Sequence, residues 1–316
     1  MFTTIQDLGR NGYRAVGIGP GGAMDFFAAS TANYLVSNDA TAAVIEMHFP
    51  AAEILFQSDT IIAVTGGDFS ACIDNVPIEL WQPIVIKNGS ILSFKKYING
   101  ARTYLSANGG FEADQWLSSY STHLKLKAGG FKGDVLLKED IIPFSSAAVI
   151  KSHGNLVNFK KIVEPFYKPS NIIRCIAAPE FEQLHEASQT CLVNLPFVLT
   201  AQSDRMGFRL KGMDLRMENP AELISSPVDA GTVQLLPNGQ LIVLMADHQT
   251  TGGYPRIAQV IRADIPRLAQ IPIHAELNFK LVSIETAEEA LLSLSQTLVS
   301  IKKTCDYLYA TDRHQL

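Results

Sequence analysis

The sequence predicts a mainly β protein with two β-barrel or β-sandwich domains, a few short helices and one long C-terminal helix. Three observations support this fold class. Short apolar strands recur at spacings of about ten residues, turn-forming residues separate them, and few segments have helical periodicity. The predicted strands include Thr60–Thr65, Pro83–Lys87, Ser90–Phe94, Thr103–Ala107, Asn171–Ala177, Gly231–Leu235 and Leu241–Met245.

Three short helices are expected between the strands. The first covers residues 24–37, with Asp25 as its N-cap and Asn38 closing it in the left-handed conformation. The second covers residues 179–188 and has proline in its first turn. Asp264 is expected to cap a third helix that ends at Ala269.

The C-terminal helix has the clearest sequence pattern. Thr286 and Glu289 form a predicted capping box at its start. Apolar residues then recur at alternating steps of three and four from Leu291 to Leu308, which predicts a buried stripe along one face. We expect this stripe to pack on the C-terminal domain of the same chain, with a partner chain as the alternative.

The chain is expected to divide into two β domains, residues 1–160 and residues 161–316, the second of which carries the terminal helix. Between about residues 150 and 170 the strand periodicity stops. Lysine and proline are frequent there, which is typical of a segment that connects domains.

Composition excludes several classes of protein. Hydrophobic residues make up 47% of the 316 residues and charged residues 18%, which is a globular composition. The longest aliphatic run, residues 241–246, is far shorter than the ~20 residues of a membrane span, and no secretory signal is expected. The net charge of −5 without a basic stripe argues against nucleic-acid binding. Four scattered cysteines without a CxxC pair indicate a reduced, cytoplasmic protein.

Known nucleotide, metal and hydrolase motifs do not occur. The sequence has no Walker A lysine motif, no GxSxG, no HExxH and no biotinyl-lysine signature, and no metal site is predicted. Residues 17–22, GIGPGG, superficially resemble a dinucleotide fingerprint, but a βαβ context is missing and Pro20 interrupts the loop. Two interpretations stay open: an anion site at a helix N-terminus, or a tight turn into a helix capped by Asp25.

Three polar segments at expected strand ends define a candidate site: residues 6–14, 202–210 and 246–255. Arginine binds carboxylates and phosphates with two parallel hydrogen bonds, while Asp and His transfer protons. The candidate catalytic residues are Asp247, His248 and Asp25. The candidate substrate-binding residues are Arg10, Arg205, Gln249, Thr250 and Tyr254. The alternative is that the arginines pair with acidic residues of the same chain inside turns.

Several motifs together carry a family resemblance. They are TTIQDLGRNGYRAVGIGPGGAMD at residues 3–25, AGGFKGDVL at 128–136, SDRMGFRLKG at 203–212 and ADHQTTGGYPRIAQVI at 246–261. In this order they resemble the 5-oxoprolinase C-subunit family, also described as KipA-like, allophanate hydrolase subunit 2 or biotin-dependent carboxyltransferase-related. The resemblance covers roughly residues 3–282 and implies two cyclophilin-like β-barrel domains.

The resemblance also implies a function. It suggests a cytoplasmic component of an ATP-dependent 5-oxoprolinase, inactive alone, that opens 5-oxoproline to glutamate. The expected partners are a homologous chain of the B-subunit type and a lactam-utilisation protein of the A-subunit type, and ATP is expected to bind with or through them. One alternative is the carboxyltransferase component of a urea or amide carboxylase, with biotin on another chain. A second alternative is a non-catalytic antagonist that binds a kinase-inhibitor protein.

Overall fold

A computed structural model of the protein describes residues 2–145, 157–167, 170–219 and 223–313. The described chain is mainly β, as predicted. Contacts group it into two compact units. The first unit consists of residues 1–10, 25–167 and 295–316, and the second of residues 11–24 and 168–294. Residues 150–156 and 168–169 of the expected domain boundary lie outside the described residues, and a division between residues 160 and 161 stays a prediction.

The first unit arranges its strands in two antiparallel sheets, with the orders β1-β2-β9-β4-β7 and β3-β8-β5-β6. Ile5 and Ile62 of one sheet and Leu92 of the other belong to a single hydrophobic core. The elements are β1 Thr3–Gln6, α1 Phe26–Leu35, β2 Val44–Met47, β3 Ile54–Leu55, β4 Thr60–Asp68, β5 Ala71–Ile73, β6 Val76–Pro77, β7 Pro83–Ile86, β8 Ile91–Phe94, β9 Asn99–Ala107 and α2 Phe159–Val163.

Helix α1 confirms the predicted N-cap. The Asp25 carboxylate accepts a hydrogen bond from the Ala28 N–H at 2.9 Å, which satisfies one of the backbone donors at the helix start. The predicted helix end is wrong by two residues, because α1 ends at Leu35 and not at residue 37. The left-handed residue after it is Ser37 and not Asn38, with φ of 60°. Asn38 instead donates its side-chain amide to the Ala107 carbonyl at 2.8 Å, which ties the helix end to β9.

The second unit contains a closed seven-stranded barrel with the order β10-β17-β14-β15-β12-β11-β18. The parallel pairing of β10 with β18 closes it, and β13 and β16 form a separate two-stranded ribbon. The elements are β10 Ile172–Ala177, α3 Glu186–Asn194, β11 Phe197–Leu199, β12 Gly207–Lys211, β13 Ser226–Pro227, β14 Thr232–Leu235, β15 Leu241–Leu244, β16 Thr251–Gly252, β17 Arg256–Val260, α4 Ile265–Ala269 and β18 Glu276–Leu281.

Two predicted helices of this unit need correction. In place of one helix over residues 179–188, a short 3-10 turn is followed by α3, whose first turn is capped by the His185 ring. Asp264 does stand at the N-terminus of α4, but its carboxylate makes no capping bond. It binds the Arg174 guanidinium at 2.6 Å and the Arg174 N–H at 2.8 Å, and this ion pair replaces the expected cap.

The long terminal helix, α5, spans Ile284–Arg313. The predicted capping box is wrong, because the Ser283 hydroxyl accepts the Thr286 N–H and the helix therefore starts earlier. In the apolar stripe, Leu294, Ile301 and Cys305 are buried, Leu298 and Leu308 are half-buried, and Leu291 is exposed. From residue 295 the helix belongs to the first unit, where the Tyr309 hydroxyl donates to the Leu35 carbonyl at 2.5 Å. Packing of the helix on the C-terminal domain stays a prediction. Among the described helices, none has the length and apolar composition needed to cross a membrane.

Candidate functional site

In the second unit, the barrel brings the second and third predicted polar segments together. Strands β12 and β15 pair antiparallel, with Gly207 opposite Leu244, so the residues just before β12 meet the residues just after β15. Arg205 Nε and Nη2 donate to the two carboxylate oxygens of Asp247 at 2.8 and 3.0 Å. Arg205 Nη2 also donates to the Gly22 carbonyl at 2.6 Å.

The Arg205–Asp247 pair is an internal connection of the unit. Arg205 is 5% exposed, and its guanidinium joins three chain segments through charge-assisted hydrogen bonds. The acid that pairs with Arg205 is Asp247 and not the neighbouring Asp204, which accepts two backbone N–H groups in its own turn. This geometry favours internal pairing over ligand binding for Arg205. The catalytic role of Asp247 and the substrate-binding role of Arg205 stay predictions.

His248 is the buried imidazole of this site, with 1% exposure. Its Nδ1 lies 2.6 Å from the Gln249 carbonyl oxygen, which can only accept, so Nδ1 carries a hydrogen. The opposite nitrogen, Nε2, has no hydrogen-bond partner among the residues described. It lies 3.6 Å from Oδ1 of Asp229. The ring is therefore held by its Nδ1 contact with Nε2 facing the Asp229 carboxylate.

Asp229 is a site residue that the sequence interpretation missed. Its side chain is 62% exposed and lies 3.1 Å from Nη1 of Arg14, which also donates to the Val228 carbonyl. The His248 ring, the Ala230 N–H and the Arg14 guanidinium hold the pKa of the Asp229 carboxyl well below its usual range, although burial opposes them. No neighbouring acid or base in the sequence marked this residue as a candidate.

Three further predicted residues, Gln249, Thr250 and Tyr254, follow His248 in the third polar segment. The Thr250 carbonyl accepts the Val228 N–H at 3.1 Å, which places Thr250 beside the Asp229 backbone. Gln249 is half-buried and supplies the carbonyl that holds the His248 ring. Tyr254 is exposed, two residues beyond the β13–β16 ribbon. The substrate-binding roles of Gln249, Thr250 and Tyr254 stay predictions.

The glycine-rich loop at residues 17–22 packs against residues 246–248, the part of the chain that carries His248. The Gly21 N–H donates to the Ala246 carbonyl at 3.1 Å. A β-carbon at position 19 would lie only 2.6 Å from the His248 carbonyl oxygen. The loop therefore has glycine at position 19 because its backbone runs next to the His248 backbone. This geometry favours the tight-turn interpretation over an anion site.

Asp25 and Arg10, the two candidates nearest the N-terminus, are interior residues of the first unit. The fully buried Asp25 carboxylate caps α1 and accepts the Tyr167 hydroxyl at 2.7 Å. Arg10 is also buried, donates from Nη2 to the Ser121 carbonyl at 2.5 Å and lies over the Trp116 ring. Their catalytic and substrate-binding roles stay predictions.

A buried tyrosine network surrounds Asp25 and was also missed by the sequence interpretation. The Tyr104 hydroxyl accepts the Asp25 N–H at 2.9 Å and donates to Glu46 at 2.8 Å. Burial, reinforced by the charges of Glu46 and Asp25, raises the pKa of Tyr104 well above its usual value, and burial raises that of Tyr167 as well. Both phenols therefore stay protonated and act as hydrogen-bond donors to carboxylates. Among the described residues, no group of three or more His, Cys, Asp or Glu side chains forms a metal site.

The chain that forms this barrel matches a known family of domains. A family model described as "Carboxyltransferase domain, subdomain A and B" matches residues 16–281, and the chain belongs to this family. The chain is 38% identical to the C subunit of 5-oxoprolinase from Escherichia coli (strain K12) over 290 residues, 92% of this chain and 91% of that protein. It is 34% identical to the C subunit of 5-oxoprolinase from Haemophilus influenzae, covering 90% of this chain and 89% of that protein. The resemblance found in the motifs is confirmed.

A solved structure supports the fold. The crystal structure of the Kluyveromyces lactis urea carboxylase is similar to this chain with a TM-score of 0.87 and 24% sequence identity. The similarity covers 95% of this chain but only 28% of that longer chain. At this identity the similarity establishes the shared fold.

Proposed function

We propose that this chain is one component of an ATP-dependent 5-oxoprolinase that opens 5-oxoproline to glutamate together with partner subunits. The two relatives named as C subunits of 5-oxoprolinase support the substrate, and they match over nearly their full length. The observation that carries the proposal is the fixed His248 imidazole, whose Nε2 lies 3.6 Å from the Asp229 carboxylate. Such a pair can accept and return a proton during hydrolysis.

The reaction needs activation because a lactam is a resonance-stabilised amide. Transfer of the γ-phosphoryl group of ATP to the lactam oxygen, with release of ADP, makes the carbonyl carbon electrophilic. Water then adds to that carbon, the C–N bond breaks, and the ring nitrogen takes a proton to leave an acyl phosphate. A second water hydrolyses the acyl phosphate to glutamate and inorganic phosphate. ATP is bound with or by the partner subunits.

In this scheme His248 and Asp229 manage the proton. Neutral His248 accepts a proton at Nε2 from the attacking water, because Nδ1 already carries its hydrogen. Asp229 has a lowered pKa, stays ionised and stabilises the imidazolium that forms. The proton then passes to the leaving ring nitrogen. The half-exposed Arg14 supplies a positive charge for the substrate carboxylate.

Four other predicted residues act by holding the segment that carries His248 in place. Arg205 and Asp247 hold the segment that carries His248, and Gln249 and Thr250 fix its backbone. Substitution of His248 or Asp229 therefore tests catalysis most directly. Substitution of Arg205 is expected to lower the stability of the second unit.

The test uses the chain co-expressed with a homologous B-type partner chain and an A-type lactam-utilisation protein. The complex should form glutamate, ADP and phosphate from 5-oxoproline and ATP, while the isolated chain should form none. His248→Gln and Asp229→Asn should each lower kcat/KM at least about tenfold, roughly 1.4 kcal/mol, at a temperature where both variants stay folded. His185→Gln, which changes a cap far along the chain, is the matched control. A complex that does not turn over 5-oxoproline refutes the function, and turnover by the single chain refutes the division between subunits.

One alternative has an observation of its own. The matching family model is described as a carboxyltransferase domain, which supports a component that carboxylates urea or another amide, with biotin on another chain. The same complex incubated with urea and a carboxybiotinylated carrier protein separates the two reactions. Carboxylation of urea without ATP-dependent opening of 5-oxoproline would favour this alternative.

A further inference from the structure

Gln234, in the middle of β14, has an unusual environment. Its side chain is 0% exposed, yet neither Nε2 nor Oε1 has a hydrogen-bond partner among the described residues. A buried polar group without a partner is destabilising because it has lost its hydrogen bonds to water, and a carboxamide has two such groups. The protein has glutamine at this position although leucine, which has nearly the same size, would avoid the cost.

The amide lies on the same strand face as the residue that holds Asp229. Val233 and Leu235 are buried in the barrel core, so the intervening Gln234 and Thr232 point to the other face of β14. The Thr232 hydroxyl accepts the Asp229 N–H at 3.1 Å and donates to Gln259 at 2.9 Å. Two residues along a strand are about 7 Å apart, so Gln234 lies one step from the site proposed for catalysis.

The β13–β16 ribbon covers the Gln234 amide. A β-carbon at Gly252 would lie 2.6 Å from Gln234 Nε2 and 3.5 Å from Val228. The ribbon has only two residue pairs, Ser226 with Gly252 and Pro227 with Thr251, and Pro227 has no N–H to donate. Few backbone hydrogen bonds therefore hold it together, and its separation from β14 would uncover the amide.

We infer that Gln234 recognises the amide group of the substrate by two reciprocal hydrogen bonds. A lactam or urea presents an N–H and a C=O side by side, and a carboxamide presents the complementary oxygen and N–H. Gln234 Oε1 accepts from the substrate N–H, and Nε2 donates to the substrate oxygen. Glu lacks the donor and Leu lacks both groups. This inference rests on the proposed function, which supplies an amide substrate to this site.

The first test compares 5-oxoproline with N-methyl-5-oxoproline, which lacks the lactam N–H, in the wild-type and Gln234→Leu complexes. The wild-type KM should rise at least tenfold for the methylated compound. Gln234→Leu should raise the KM for 5-oxoproline at least tenfold and bring the ratio of the two KM values near one. Its Tm should stay equal or rise, because a buried amide without partners is removed. Gln259→Leu, which removes a fully paired amide on the same face, should instead lower Tm.

A second variant tests the same space without touching the amide. Gly252→Ala places a methyl group beside Gln234 Nε2 and should also raise the KM for 5-oxoproline. If the wild-type complex is active but both variants keep the wild-type KM and discrimination, the inference is wrong and the proposed function stands.

If the wild-type complex does not act on 5-oxoproline, the proposed function fails, and calorimetric titration of the chain with urea and 2-pyrrolidone decides the inference. Binding that Gln234→Leu abolishes supports the inference, and absence of binding to the wild-type chain overturns it.

Discussion

Replacing Arg205 with alanine should destabilise the second unit strongly. The substitution removes a 5% exposed guanidinium that donates to both oxygens of Asp247 and to the Gly22 carbonyl. It leaves the Asp247 carboxylate, which is 15% exposed, without its countercharge. Removing one partner of a buried ion pair costs about 3–5 kcal/mol. For a unit of this size that corresponds to a fall in Tm of roughly 6–20 °C.

The positions of the tryptophans determine which method can follow unfolding of the barrel. Both tryptophans, Trp81 and Trp116, lie in the first unit, so their fluorescence does not report on the barrel. Differential scanning calorimetry should therefore be combined with hydrogen exchange on peptides from β12 and β15, which flank the pair. Exchange should accelerate in these peptides when Arg205 is removed.

Two comparisons make the result decisive. Arg205→Met combined with Asp247→Leu should lose less stability than the sum of the single changes, because no charge is then left unpaired. Lys87→Ala breaks an exposed ion pair with Asp59 and should have little effect. If Arg205→Ala is as mild as Lys87→Ala, the pair is not buried in solution and the reasoning about its structural role fails.

Other consequences of the structure can be measured separately. Gly19→Ala should displace the His248 backbone, because a β-carbon there meets the His248 carbonyl at 2.6 Å, and should lower the activity of the complex; unchanged activity would contradict this close approach. Burial raises the pKa of the Cys175 thiol to about 12, so iodoacetamide at pH 8 should leave it unmodified in the native protein while the half-buried Cys191 reacts. The lowered pKa of Asp229 contributes stability above the unfolded pKa of about 3.9 that is lost as the pH falls through the lower folded value. The stability difference between wild type and Asp229→Asn should therefore shrink as the pH falls below about 4; an unchanged difference there would argue against the contacts with His248 and Arg14.

Local patterns predicted much of the fold. Short apolar runs between turn-forming residues identified β4, β9 and β15, and the Asp25 cap followed from its position before an apolar helical run. Helix ends were less predictable, because Asp264 and Asn38 both have a better partner elsewhere in the fold. Such long-range hydrogen bonds compete with caps and leave no signal in the neighbouring sequence.

The sequence predicted which segments form the candidate site but not which side chains pair within it. Segments 202–210 and 246–255 do meet in the second unit, but the partner of Arg205 is 42 residues away and not adjacent. Asp229 and Gln234 were not selected, since their roles depend on the barrel register that brings β14 beside the ribbon and His248. A single acid or amide within an apolar stretch does not reveal which side chain will face it.

The strand that closes the barrel is among the last parts of the second unit to leave the ribosome. Strand β18 pairs with both β10 and β11, and its register with β10 joins residues that are roughly 100 positions apart. Until residue 281 has been synthesised, β10 and β11 each present an unpaired edge, which is a template for aggregation. The nascent chain must therefore keep these two edges apart during translation, and slow elongation before β18 would lengthen that exposure. A chain that stops short of β18 would carry the site residues of the barrel but no sealed sheet to hold them.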